Sequence, residues 1–405
     1  MIGKTLEHKI FFVEEFFGSR IYNSKDKEEY FFDREDTLNI KKIFSGNCND
    51  DIDLQESREK LIEKNLLTLD VIYIKNKKTV GLSAPLKISF NITEKCNLRC
   101  KHCLTDAGSF NPNELTTTEL FKLIAQMREF GSFFITLGGG EPLLRNDLFE
   151  VIEYGRKNFI AVSLVTNGIL ITKEMVQRLN ELDLDTITVS VDGLEKNHEF
   201  IRGKGTFLKT IEGLKILREY CNTAKLSIRF TMNNRNIGEY QGVIKLAEDL
   251  SLDMIRLTPM LLLGRAEENS DLLLNQKEYA KFIQDTQDIQ SNIKVILPHQ
   301  EDKKKFFITP TDFGCHCGKE ACWISQTGDF YPCIFFGKDF KAGNIKTDKY
   351  LDLWEKSKAM TMLRGNPTCI NCLDYRKCRG GCRARPLWEY GDINAVDPLC
   401  PLMKK

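Results

Sequence analysis

Three cysteines, Cys96, Cys100 and Cys103, stand in one short stretch, "NITEKCNLRCKHC", directly after the apolar run "PLKISF". Thiolate is the soft ligand that iron-sulfur clusters select, and a cubane cluster takes four ligands. A trio on one loop therefore leaves one iron that the protein does not ligate, and that iron can bind a substrate. Zinc is the competing reading of the same cysteines. A structural zinc site closes with four ligands, usually paired C-x2-C clips, and a catalytic one keeps only a water.

Nine of the chain's 14 cysteines fall between Cys315 and Cys400. In a long chain without an export signal, metal ligation explains that crowding better than disulfides do. The order is "CHCGKEACWISQTGDFYPC", then Cys369, Cys372, Cys378 and Cys382 at spacings x2, x5 and x3, and finally Cys400. Two fully ligated cubanes would use eight of these nine thiols. A zinc ribbon built on "CINC" with Cys378 and Cys382 is the alternative.

The elements that must hold the first trio run from Pro85 to about Leu297. The stretches "LKISFNI", "FFITLGG", "AVSLVTNG", "TITVSVDG", "KLSIRFTMN" and "MIRLTPML" read as strands separated by helical segments such as "TTTELFKLIAQMREFG". Regular alternation predicts a parallel sheet with right-handed crossovers, and in barrels the chemistry sits on loops at the carboxyl ends of the strands. Every candidate group falls there. The second strand ends in "LGGGEP", where Gly139 and Gly140 permit close backbone approach and Glu141 suits a cation. The third ends at Asn167. The fourth ends in "VSVDG", where alternation puts Ser190 and Asp192 on one side. Arg202, in "HEFIRGKG", suits bidentate binding of a carboxylate. Met260 and Leu261 could form an apolar wall after the sixth strand. Cys221 should lie at the opposite, amino end, away from the reaction face. Cys48 reads as a loop thiol and "HQEDKKKFF" as a solvated linker.

The C-x3-C-x2-C loop after the first strand resembles that of the radical S-adenosylmethionine (radical SAM) enzymes. The resemblance implies that the methionine nitrogen and carboxylate of SAM chelate the open iron of a 4Fe-4S cluster on Cys96, Cys100 and Cys103. Cleavage of SAM by an electron from the cluster would then give a 5'-deoxyadenosyl radical that abstracts hydrogen from a substrate. The family usually has an aromatic residue just before the third cysteine; His102 supplies a flat ring there. By the same resemblance, "GGE" at Gly139, Gly140 and Glu141 meets the methionine ammonium. Ser190 and Asp192 would bind the ribose or carboxylate of SAM, with Arg202 as a partner of the carboxylate and Asn167 also at the cofactor, while Met260 and Leu261 would either wall the adenine or pack in the core. The C-terminal cassette resembles the SPASM extension, whose pattern includes a glycine before a cysteine as in Gly328 and Cys333. It implies one auxiliary 4Fe-4S cluster on Cys317, Cys322, Cys333 and Cys382 and another on Cys369, Cys372, Cys378 and Cys400. Cys315 is the alternative to Cys317. The total is three clusters, served by a flavodoxin- or ferredoxin-like electron donor.

The first 82 residues start with two strand-like runs, "KIFFVEEFF" and "EEYFF", joined through "GSRIYNSKDK", which contains turn material. Two amphipathic helices follow, the first with Asp33 as its N-cap and Gly46 as its stop, and "DVIYIK" closes the unit. With "EEFFGSRIY", this order resembles the winged-helix-like recognition element at the front of many enzymes that modify ribosomally made peptides. The predicted class is therefore α/β: a partial, six-strand parallel β/α barrel (83–305), an N-terminal winged-helix-like α+β domain (1–82) and a C-terminal cysteine-rich iron-sulfur domain (306–405).

A formal net charge of +1 with 28% charged residues argues against nucleic acid as a partner. No apolar run is long enough for a membrane span and no signal peptide is evident, so the expected location is the cytoplasm. The reading that absorbs all of these features is a maturase for a precursor peptide bound through its leader, installing an intramolecular cross-link, with a thioether ahead of carbon-carbon bonding. Haem or tetrapyrrole side-chain modification and sulfatase activation are the enzymatic alternatives. A redox or structural iron-sulfur protein would leave "GGGEP" and "VSVDG" unexplained.

Overall fold

The computed structural model describes residues 7–46, 52–75, 81–298, 317–361, 367–373, 375 and 380–402. Cys48, Cys315, Cys378 and the lysine-rich linker lie outside the described residues.

The first three strands, β1 (Ile10–Glu15), β2 (Gly18–Asn23) and β3 (Glu28–Asp33), form an antiparallel meander, and β4 (Val71–Ile74) pairs with β1 in parallel. The stretch "GSRIYN", expected as part of a connection, is thus a strand of its own, buried along its whole length. Alternation splits β1 between two cores. Ile10 and Phe12 pack with Ile40 and Leu61 from the unit's own helices, whereas Phe11 and Val13 belong to the barrel's core. Asp33 caps the helix Arg34–Phe44, accepting from the Asp36 N–H at 2.8 Å.

The six expected barrel strands are β5 (Lys87–Thr93), β6 (Phe134–Gly139), β7 (Ala161–Thr166), β8 (Thr186–Ser190), β9 (Lys225–Met232) and β10 (Met254–Pro259). Each pairs in parallel with the next. A short strand extends each flank: β11 (Lys294–Ile296) beside β10, and β12 (Ala321–Ile324) parallel to β5. Strands β13 (Asp329–Tyr331) and β14 (Gly343–Asn344) continue antiparallel, so the C-terminal extension is joined to the first barrel strand by hydrogen bonds. No helix among the described residues is long and apolar enough to cross a membrane.

The N-terminal unit sits under the barrel, at the amino ends of its strands. Tyr22 stacks on Phe133, with ring centroids 4.3 Å apart and planes at 6°, just before β6. Lys27 reaches Asp183 at 2.7 Å, just before β8. Cys221 is at this end too, at the turn into β9.

Candidate active site

The cysteine loop is fixed from several directions. The Cys96 N–H bonds to the Gly108 carbonyl at 3.0 Å, and the Cys103 N–H to that of Cys100 at 3.2 Å. The "GGGEP" turn lies directly against it. The Gly140 N–H donates to Thr93 O and the Glu141 N–H to Lys95 O, both at 2.8 Å. A Cβ on Gly140 would lie 2.3 Å from Lys95 O, so only glycine permits this approach.

The Glu141 side chain is fully buried and engaged within the protein. Its carboxylate accepts from Thr166 Oγ1 at 2.7 Å, from the Asn167 N–H at 2.8 Å and from the Leu143 N–H at 3.1 Å. Burial pushes this carboxyl up, against the pull of those donors. Glu141 therefore brackets the ends of β6 and β7 together. Asn167 continues the bracket, donating from Nδ2 to Asn97 Oδ1 in the cysteine loop at 2.7 Å.

Asp192 is the hub of the mouth. Its Oδ2 pairs with His102 Nε2 at 2.9 Å and with Arg202 Nε at 2.6 Å, while Oδ1 accepts from the Thr231 N–H at 2.8 Å. Burial would raise this carboxyl, but the Arg202 guanidinium and the His102 ring hold it far below the usual carboxylate range. The cysteine loop, the end of β8, the helix Glu195–Arg202 and β9 thus meet on one carboxylate. Burial acts against the charge on Arg202, and Asp192 and the Cys100 thiol sustain it. Arg202 Nη1 lies 3.9 Å from Cys100 Sγ. Ser190 is buried at the end of β8. Met260 packs with Ile201, Ala266 and Leu272.

Burial pushes the Cys100 thiol up to about 11, and the neighbouring Cys96 and Cys103 add to the shift while Arg202 opposes it. The Cys96 thiol is raised in the same way, first by burial. The three thiols therefore sense one another. Yet no three His, Cys, Asp or Glu side chains among the described residues converge tightly enough to share one metal ion. A cubane gives each thiolate its own iron and so does not require the three to meet at one point.

Arg265 completes the loop's support and is not visible as a site residue in the sequence. Its Nε donates to Cys100 O at 3.1 Å, Nη2 to Ala107 O at 2.8 Å, and Nη1 pairs with Asp106; its own N–H bonds to Cys103 O at 3.0 Å. Preceding it, Gly264 at φ +59 would place a Cβ 2.6 Å from Cys103 O. The only signal was a Gly-Arg pair on the loop after the sixth strand.

In the C-terminal region Cys333 is buried in an apolar cluster with Phe336 and Ala384, and Cys317 and Cys382 pack against it. Cys322 is not with them. Strand β12 turns Cys322 and Ile324 into the main core, and burial raises that thiol well above its ordinary value. The expected quartet of Cys317, Cys322, Cys333 and Cys382 is thus divided by the alternation of one strand. The Cys372 N–H bonds to Cys369 O at 2.9 Å in a tight turn. Asp397, unremarked in the sequence, holds two cassette segments: Oδ2 accepts from the Cys382 N–H at 2.8 Å, and the Cys400 N–H donates to its carbonyl, also at 2.8 Å. Arg385 Nε pairs with Asp397 Oδ1 at 2.8 Å.

Comparison with known proteins places this geometry. The radical SAM superfamily is matched over residues 90–247, and SPASM, an iron-sulfur cluster-binding domain, over 315–382. The AdoMet-dependent heme synthase of Methanosarcina barkeri is 30% identical over 344 residues, 78% of this chain and 97% of that protein. The mycofactocin maturase MftC of Mycolicibacterium smegmatis is 29% identical over 331 residues, 79% of this chain and 83% of that protein. Among solved structures, Streptococcus suis SuiB bound to S-adenosylmethionine superposes with a TM-score of 0.72 at 18% identity, covering 98% of this chain and all of that one. SuiB bound to its precursor peptide SuiA gives 0.71, covering 96% and 97%.

Proposed function

Because this chain belongs to the radical SAM superfamily, an enzyme family, and carries a SPASM domain, we propose that it is a peptide maturase that installs an intramolecular cross-link, a thioether, in a ribosomally made precursor. Cys96, Cys100 and Cys103 would hold the SAM-binding cluster. When bound, that cluster supplies the electron for reductive cleavage of SAM, and a flavodoxin- or ferredoxin-like protein replenishes it. The residues around it orient the cofactor. Gly139 and Gly140 bring backbone close to the loop for the methionine ammonium, Arg202 offers positive charge to the carboxylate, and Ser190 lies at the end of β8 for hydroxyl contacts. His102, Glu141, Asn167 and Asp192 act chiefly by locking the loops that carry these groups.

Two auxiliary clusters complete the reading. Cys317, Cys333 and Cys382 form one site, with Cys315 a better fourth ligand than the core-facing Cys322. Cys369, Cys372, Cys378 and Cys400 form the other.

The observation that carries the peptide reading is the N-terminal α+β unit, whose sheet runs β3-β2-β1-β4 and so leaves β3 at an edge. An extended leader can add to such an edge through backbone hydrogen bonds. Since the unit lies beneath the barrel, a docked precursor must climb the barrel wall, about 20–25 Å at strand rise, before its core reaches the mouth. Haem modification is the second reading, favoured by the 30% identity to the Methanosarcina barkeri heme synthase. The test is to incubate reconstituted enzyme, SAM and reductant with a cysteine-containing precursor peptide, sought among the reading frames that neighbour its gene. The expected product has lost two hydrogens for each thioether and one alkylatable thiol. An unchanged peptide, with an iron tetrapyrrole turned over instead, would overturn the peptide reading.

A further inference from the structure

The helix Glu195–Arg202 carries different chemistry on its two faces. His198 and Arg202, one turn apart, both turn to Asp192 at the mouth. Phe200 stands midway between them in sequence. At about 3.6 residues per turn its side chain leaves the helix roughly 200° away from theirs, on the face that looks out of the mouth. There its ring is 37% exposed. A lone exposed ring is ordinary, but this one is flanked by two cations. The Arg235 guanidinium lies 3.9 Å from its centroid and the Lys101 ammonium 5.3 Å. Neither cation has a carboxylate partner among the described residues. Arg235 Nε donates instead to the neutral Asn197 Oδ1 at 3.2 Å. Lys196, exposed one turn before Phe200, extends the same face.

The nearby carboxylates do not cancel this charge. Glu239 is engaged by the Leu194 N–H and Asn197 Nδ2, both at 2.8 Å. Glu267, Glu268 and Asp271, on the bordering segment Gly264–Leu272, are exposed. The cations thus form a small positive island around an apolar ring, in a chain whose formal net charge is only +1.

The island is tied to the cysteine loop. Lys101 follows Cys100 directly, and its N–H donates to the Ile201 carbonyl at 2.8 Å, next to Phe200. Asn269 Nδ2 donates to the Lys101 carbonyl at 3.2 Å. On the opposite face of the same helix, Arg202 Nη1 lies 3.9 Å from Cys100 Sγ. The exposed ring and the thiols are therefore separated by about one helix diameter, on the order of 10 Å. An electron can cross that thickness, and it enters without passing through the mouth where SAM and substrate bind.

We propose that Phe200, Lys101, Arg235 and Lys196 form the docking surface for an acidic, flavin-bearing electron carrier of the flavodoxin type. One electron passes from the reduced flavin to the cluster on the cysteine loop; the flavin is oxidised by one electron, and no atoms move. This rests on the cluster reading of that loop and not on the peptide reading of the substrate. Two like charges held on one ring repel, and carboxylates of an acidic partner relieve that repulsion. The dimethylbenzene edge of a flavin is apolar and matches the exposed ring. An acidic ferredoxin would use the cations but leave Phe200 without a role.

The test is calorimetric binding of flavodoxin to the reconstituted enzyme, beside 5'-deoxyadenosine formation with reduced flavodoxin or with dithionite as the electron source. Phe200→Ala and Arg235→Glu should each weaken flavodoxin binding roughly tenfold at low salt. At 1 M salt, where the Debye length is about 3 Å, the Arg235→Glu deficit should close and the Phe200→Ala deficit should not. With limiting flavodoxin, 5'-deoxyadenosine formation should fall in proportion to binding, whereas with dithionite both variants should match the native enzyme. With ferredoxin as the ligand, only the Arg235→Glu deficit should appear. Unchanged flavodoxin affinity in both variants would overturn the proposal. So would an equal loss with dithionite, which would mark a damaged cysteine loop, or a Phe200→Ala deficit larger for ferredoxin than for flavodoxin. A native enzyme that yields no 5'-deoxyadenosine even with dithionite would count against the cluster reading, and the flavodoxin affinities would still decide the docking surface.

Discussion

Arg20 and Arg202 are both buried guanidinium groups held by carboxylates, and they stand at opposite ends of one barrel. Below it, Arg20 meets two carboxylates: Nε pairs with Glu15 at 2.8 Å and Nη1 with Glu29 at 2.5 Å, while Nη1 also donates to Gly131 O at 2.6 Å. Glu15 in turn accepts from Ser83 N–H and Oγ at 2.9 and 2.8 Å. The positive charge is consumed, and the result is a clamp tying the meander, the segment leading into β5 and the end of a barrel helix together. At the mouth, Arg202 shares a single carboxylate with His102 and turns Nη1 toward a thiol. There the positive charge is left facing the cysteine loop. The same pair of chemical groups is a fastener when carboxylate is in excess and an electrostatic tool when it is not.

Breaking each cluster should separate these roles. Arg20→Met leaves Glu15 and Glu29 buried without their cation and should cost about 3–5 kcal/mol in stability. Denaturant unfolding would measure it, and SAM affinity of the folded fraction should be unchanged. Asp192→Asn removes the charge that orders Arg202 and His102. It should weaken SAM binding roughly tenfold, about 1.4 kcal/mol, by equilibrium dialysis, with less effect on unfolding than Arg20→Met. A larger loss of SAM affinity in the Arg20 variant would erase the distinction.

His198 sharpens it further. It is buried, its Nδ1 accepts from the Asp192 N–H at 3.3 Å, and burial followed by Arg202 lowers its pKa to about 3. The unfolded chain protonates this group near pH 6.5 and the folded protein does not. Its contribution is therefore complete above that pH and is lost as pH falls toward about 3, at up to roughly 1.4 kcal/mol per pH unit. Melting measured from pH 7 to 5 should show this slope, and His198→Gln should flatten it. The smallest effect is expected for Arg265→Lys. Lysine keeps the charge but not the several N–H donors that hold the cysteine loop, so iron should be lost faster to a chelator with little change in melting.

The trio of cysteines and the six strands were legible in the sequence because spacing and alternation are local properties. So was Asp33 as a cap. The strand Gly18–Asn23 was not, since a short polar run containing arginine becomes a buried strand only through Glu15, Glu29 and Gly131. Arg265 was hidden for a related reason: its partners lie about 160 residues earlier, and no local pattern marks it. Cys322 shows a third limit. Spacing counted it with its neighbours, but pairing of β12 with β5 decides which side chains face the core, and Cys322 is one of them.

The most direct test of the account is the yield of 5'-deoxyadenosine from SAM and dithionite, comparing the reconstituted enzyme with a variant in which Cys96, Cys100 and Cys103 are all alanine. Product is expected from the native protein and none from the variant, whose iron should fall by about four per chain while the C-terminal iron is kept. Equal yields, or a variant that loses no iron, would contradict it.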